Sequence, residues 1–367
     1  MTPTELSQPR INWIDNAKGI AIILVVLIHS HIAYSAMDGE TAIFRGLHII
    51  LTLASVSFMA LFFFVSGYTY KDKQDALKTR FHKLVIPYAA YGIGIVIIAS
   101  LIQLTQGHEI GLFDFLKELG GLLYSRSRLI SPCDIFAIEG LSYFCLMPEG
   151  TGPMWFLTSL FTAYAFFIPL HRAKESHKPI YIIVYILAMY VLSLLPILLP
   201  WSLDLAPLGA LLLYAGNWCK SKGILLQPGR NALIFLLLLG PIYWVLFCAN
   251  GPIALFMRQY GNSLLCSPMF CLEQGLIGSV LFCIAARYIE SFRLNILVAP
   301  IGKASLTILC THMCIFHTWR NACQYLQSIS ASSIFQSKEI LYLEVPIALI
   351  SGLILHKLIH TLKRKNQ

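Results

Sequence analysis

An all-α integral membrane protein, about ten transmembrane helices in one bundle, is the fold this sequence predicts, and three observations predict it. The 367 residues are 57% hydrophobic and only 12% charged, about half the charged fraction of an ordinary soluble domain. The apolar residues gather in stretches close to the ~20 that a helix needs to cross the hydrocarbon of a bilayer. Lysine and arginine are dense in one interhelical segment and sparse in the next, as cytoplasmic and external loops are.

Ten stretches meet the length criterion: 14–35, 47–67, 84–104, 153–170, 179–200, 203–218, 231–250, 264–286, 295–318 and 340–361. The polar segment 1–11 has no short apolar core with a small-residue cleavage site, so the first span is expected to stay as an uncleaved anchor. The sixth span is short and flanked by Pro200 and Pro207. One face of the membrane collects Lys71, Lys73, Lys78, Arg80 and Lys83, then Arg172, Lys174 and Lys178, and at the end Lys363, Arg364 and Lys365. The other holds only scattered cations such as Arg45, Arg126, Arg258 and Arg320. Both termini are therefore expected in the cytoplasm. The chain reads as a single domain, 1–367, with a basic cytoplasmic segment at 69–83, a long extracytoplasmic loop at 105–152 and a short tail at 362–367.

Within the long loop, residues 113–119 have the pattern of an amphipathic helix on the membrane surface. The net charge of +9 is what a cytoplasmic excess of cations produces, and nucleic acid need not be invoked. The ten cysteines form no CxxC pair and no zinc-spaced cluster, so no metal is expected. Cys133 and Cys145 share the long loop and would be placed to pair if it is extracytoplasmic. A GxSxG elbow, a P-loop and an HExxH are absent.

The chemistry-bearing residues lie inside the spans. His29 stands near the outer end of the first, roughly 22 Å from its start at ~1.5 Å per residue. An imidazole in hydrocarbon needs a partner or a task. Lys18 is eleven residues earlier, about three turns, hence on the same helix face, with Asp15 one turn before it. His312 lies at a similar depth in the ninth span, with Lys303 nine residues below it, and Glu273 is an acid within the outer half of the eighth. Two imidazoles and a carboxylate at one depth suit a base, its orienting partner and a substrate contact. Ser66 closes the second span, and Trp155 opens the fourth as an interfacial anchor.

These segments, in order, resemble the bacterial membrane acyltransferase-3 family, and within it the fucose 4-O-acetylase-like branch. Residues 15–29 resemble its first-span motif, a basic residue and then, after ten residues, the catalytic histidine. Phe62-Phe63-Phe64-Val65-Ser66-Gly67, the basic run 80–88, Gly152-Pro153-Met154-Trp155-Phe156-Leu157 and 302–312 resemble four further segments. The chain departs from the family in having Lys18 where arginine is common, and Thr79 and Lys83 at the spacing of an Arg-x-x-x-Arg pair.

The resemblance implies an O-acyltransferase of the bacterial inner membrane. Its co-substrate would be an acyl-CoA, most often acetyl-CoA, with no permanently bound cofactor. Its acceptor would be a hydroxyl of a cell-surface glycan, such as lipopolysaccharide, or of a lipid-linked precursor. His29 would be general base or transient acyl carrier, with His312 and Glu273 beside it. Lys18, Ser66, Lys71, Lys73, Lys78, Arg80 and Lys83 would hold the donor, and Asp15, Trp155 and Lys303 would meet substrate. The alternative is a transporter or flippase of a glycan or small solute, which predicts paired repeats that the sequence lacks.

Overall fold

The computed structural model describes residues 12–34, 42–105, 111–126, 148, 150–224, 230–251, 253–262, 266–330, 340 and 342–365. All of its extended elements are helices: α1 (Asn12–Tyr34), α2 (Ala42–Tyr68), α3 (Ala76–Arg80), α4 (Ile86–Thr105), α5 (Leu112–Tyr124), α6 (Trp155–Arg172) and α7 (Lys178–Ser193). They continue with α8 (Ala206–Ser221), α9 (Arg230–Asn250), α10 (Ser267–Ser291), α11 (Asn295–Lys303), α12 (Ser305–Ser330) and α13 (Glu344–Lys365). An isolated antiparallel bridge pairs Ala254 with Gln259.

Each of the ten apolar stretches carries a helix. Among the described residues, six helical runs are long and apolar enough to cross a membrane: α1, α2, the run from α3 to α4, α6, α10 and α13. The pair α11 and α12 makes a seventh if the two count as one span, bent by 79°. The ninth stretch is thus broken where a continuous helix was expected. α11 ends at Lys303, and the Ala304 N–H bonds the carbonyls of both Pro300 and Ile301 at 3.1 Å, a tightened last turn from which α12 starts in a new direction. Lys303 and His312 consequently lie on different helices. A π turn, Phe81–Val85, joins α3 to α4; such turns widen a helix locally and recur at functional sites.

The bundle is close-packed where small residues let backbones meet. α1 lies against α11, and a β-carbon on Gly302 would fall 1.8 Å from the carbonyl oxygen of Asp15. α2 lies against α8, where one on Gly67 would fall 1.9 Å from the Leu213 carbonyl oxygen. Around these seams Trp13, Phe64, Tyr68, Tyr164, Phe167 and Phe316 are almost fully buried. The amphipathic segment is a helix, as expected: α5 exposes Leu112, Phe113, Leu116 and Leu123 and buries Leu122, whose carbonyl accepts from the Tyr88 hydroxyl at 2.7 Å. Cys133 and Cys145 lie outside the described residues.

Candidate functional site

His29 and His312 meet, their ring centroids 5.2 Å apart and their planes at 60°. α1 and α12 bring them together, His29 as the 18th of the 23 residues of α1 and His312 as the 8th of the 26 of α12. The Nδ1 of His29 lies 2.7 Å from the carbonyl of Val25. A carbonyl only accepts, so Nδ1 carries the proton, and the neutral ring keeps its lone pair on Nε2. His312 repeats the device: its Nδ1 lies 3.0 Å from the carbonyl of Ile308 and 3.1 Å from that of Leu309. Its Nε2 is buried and has no hydrogen-bond partner among the described residues. The His312 ring sits between His29 and Phe316, 5.7 Å from the latter.

His29 lines a cavity of about 190 Å³ together with Phe58 and Met59 of α2, Trp155 of α6 and Leu309 of α12. Its fourth wall is a hairpin between α9 and α10, contributing residues 253–256. The hairpin is tied internally by Ala254 N–H to the Gln259 carbonyl at 2.9 Å and the reverse bond at 3.0 Å. Arg258, at the turn of the hairpin, ties it to the rest of the bundle. Its φ of 55° is left-handed. Its guanidinium donates to Asp204 at 3.0 Å and to the carbonyls of Ile197 (2.9 Å) and Leu195. Asp204 also accepts from Arg126 at 2.9 Å, and Arg126 donates to Ser202 at 2.9 Å. All three charged side chains are at most 1% exposed. One carboxylate thus gathers two cations and pins the hairpin to the segment before α8.

On the same face of α1, Lys18 lines a second cavity of about 360 Å³ with Ser66, Arg80, Lys83 and Leu309. Leu309 is common to this space and to the cavity at His29, and the adjacent residues Trp155 and Phe156 line one each. Thr69, Arg80 and Lys83 also line an adjoining surface cavity of about 330 Å³ that Lys71 and Lys73 complete. Arg80 is held by aromatic faces, 4.4 Å from the Tyr164 centroid and 5.7 Å from that of Tyr70. The segment is braced by Arg172, which grips Asp72 at 2.8 Å and the Lys73 carbonyl at 2.7 Å. Arg172, and then the Tyr70 hydroxyl, lower the Asp72 carboxyl from 3.8 to about 2. A depressed carboxyl keeps its brace above its ordinary range and loses it only as pH falls through the folded value.

Of the residues singled out in the sequence, the structure therefore unites His29 with His312 and Trp155. It also gathers Lys18 and Ser66 with Lys71, Lys73, Arg80 and Lys83. Four stand apart. Lys78 is exposed on α3 and Lys303 is exposed at the α11–α12 bend; neither lines these cavities. Asp15 is buried in the first turn of α1, against α11. Glu273 lines neither cavity and bonds neither imidazole among the described residues. Gly275 and Gly278 turn the face of α10 toward Ala60 and Ser57 of α2, and Glu273 is roughly 200° and 140° around the helix from them at ~100° per residue.

Two polar clusters escaped the sequence reading. One is the triad of Arg126, Asp204 and Arg258, whose signal was an aspartate at the head of an apolar stretch with two sparse arginines on the same side. The other is His31, turned away from His29, which bonds Tyr342 at 3.0 Å and His48 at 3.0 Å.

The sequence matches the family model described as an acyltransferase domain over residues 11–355. No curated protein and no solved structure shows a significant match.

Proposed function

Because the chain belongs to the acyltransferase-3 family, and is thus a multi-pass membrane acyltransferase, we propose that it moves an acyl group from acyl-CoA to a hydroxyl of a cell-envelope glycan or its lipid-linked precursor. In this reading ten spans cross the bacterial inner membrane with both termini in the cytoplasm. The donor reaches the cavity at Lys18 from that side, and the acceptor reaches His29 from the other.

One observation carries the proposal: a histidine with Nδ1 committed to a carbonyl, lining a cavity that shares the Leu309 wall with a cation-rich vestibule. Arg80, Lys83, Lys71 and Lys73 suit the phosphates of coenzyme A, and the arginine fork adds directional hydrogen bonds to a lysine's point charge. The run from Lys18 to His29 along α1, about 16 Å at ~1.5 Å per residue, suits the extended pantetheine arm. Passage between the two spaces requires the side chain of Leu309 to give way.

At the reacting end, Nε2 of His29 accepts the proton of the acceptor hydroxyl as its oxygen bonds the thioester carbonyl carbon. The carbon–sulfur bond then breaks, and the imidazolium returns the proton to the departing thiolate. The products are the ester and free coenzyme A, so atoms and charge balance. Burial of the reacting groups keeps water from competing for the thioester. His312 touches His29 and does not line the cavity, so it is a positioning residue that fixes the plane of the His29 ring.

Mass analysis of the envelope glycan from cells with and without the gene tests this reading. Loss of one acyl mass per repeat, restored by the wild-type gene, is the expected result. Loss of the whole polymer would mark a transporter instead.

A further inference from the structure

The cavity at His29 has a lining that a sugar would find hostile. Its walls are mainly Ile28, Ile32, Phe58, Met59 and Phe256. Besides His29, the side chains that bring polar atoms are Ser55 and Trp155, and the Ser55 hydroxyl is already donating to the Thr52 carbonyl at 2.7 Å. A pyranose ring buried there would leave most of its hydroxyls without partners, which buried polar groups do not tolerate. The space is also large for an acetyl group. An apolar cavity of about 150 Å³ accommodates a benzene ring, six carbons, and this one, open on one side, measures about 190 Å³.

We infer that this cavity is the seat of the donor's acyl chain, and that it takes a short acyl group of about four to six carbons. The inference rests on the proposed function and adds the identity of the group transferred. The thioester carbonyl stands at Nε2 of His29, and the alkyl tail lies along Ile28, Met59 and Phe58 under the hairpin wall of Ala254 and Phe256. The acceptor offers a single hydroxyl to His29 and keeps its ring outside the apolar space. The bonds made and broken are those of the transfer step above. Chain-length selection then depends on the hairpin, which Arg258 and Asp204 hold in place.

The test uses the full-length protein in lipid nanodiscs and inert thioethers of coenzyme A carrying ethyl, butyl, hexyl or decyl groups, measured by competition against a labelled coenzyme A. Affinity is expected to rise about fourfold for each added methylene up to hexyl, the gain for a fully buried methylene, and to stop rising by decyl. Two variants narrow the cavity from separate walls, Ala254→Leu on the hairpin and Met59→Phe on α2. Each is expected to lower the hexyl-to-ethyl affinity ratio about tenfold or more; if both misfold, the wild-type series decides alone. Equal affinities from ethyl to hexyl would overturn the inference. So would a gain that continues unbroken through decyl, which is plain partition into the bilayer, or a ratio unmoved in both variants. If ethyl binds and acetyl is transferred with no length dependence, the proposed function stands and this inference falls. If no thioether binds, both fall.

Discussion

Lys18 and His29 share one face of α1, yet the spaces they line have opposite chemistry. The space at Lys18 is ringed by Arg80 and Lys83 and continues into a surface cavity with Lys71 and Lys73. The space at His29 is apolar apart from the imidazole and two tempered polar groups. The bracing differs in the same way. Arg172 and Asp72, which steady the basic segment, are 43% and 39% exposed, whereas Arg126, Asp204 and Arg258 behind the hairpin are essentially shut off from solvent. Exposed charges are cheap to place and contribute little individually, so the basic segment can spend them on recognising an anion. Buried charges must be matched atom for atom, so the hairpin wall uses its charges on itself and presents hydrocarbon to the site.

Substitutions at three places would break or sharpen that contrast: the histidine pair, the two carboxylate braces and the basic segment. His29→Ala is expected to have the largest effect, a fall in acyl transfer of about 10²–10⁴-fold, the range for losing a general acid or base. His312→Ala should cost less, because it acts through His29. Initial rates on purified, folded variants check the order; near-normal transfer by the His29 variant would remove the chemistry from the cavity at His29. Asp204→Ala comes next and acts on stability. It leaves two buried guanidinium groups without their carboxylate, and breaking a buried pair typically costs about 3–5 kcal/mol. A lowered thermal unfolding midpoint in detergent is the expected result, whereas Asp72→Ala at the exposed brace should shift it little. The smallest effect is kinetic. Arg80→Gln with Lys83→Gln should raise KM for acyl-CoA about tenfold, roughly 1.4 kcal/mol, with KM for the acceptor unchanged. Added salt should raise the wild-type donor KM in the same direction. An unchanged donor KM would reduce the cluster to a topology signal.

The part of the site around Lys18 was more legible in the sequence than the hairpin wall at His29. Lys18 and His29 were predicted to share a helix face because eleven residues make almost three whole turns, and both line the stacked cavities. The basic run at 69–83 was visible as a concentration of one charge. The hairpin at 253–260 was not, because its chemistry is set by partners about 54 and 63 residues away in the chain, Asp204 and Leu195, and no local pattern announces such contacts. Glu273 shows the converse failure. Its position within an apolar helix was legible, but the glycines that set the orientation of α10 turn it away from the site.

Composition and span length settled by themselves that this is a helical membrane protein, and the helical period that Lys18 and His29 share a face of α1. Hydrophobic period and helical rise are local quantities, so a sequence contains them. Which of the residues at one depth meet was decided only by the tertiary structure. That depends on the rotation of each helix about its axis, on the bend at Ala304, and on close approaches such as Gly302 against Asp15. All of these are properties of neighbouring surfaces rather than of any one segment. His312 reaches His29, and Glu273 does not, for that reason alone.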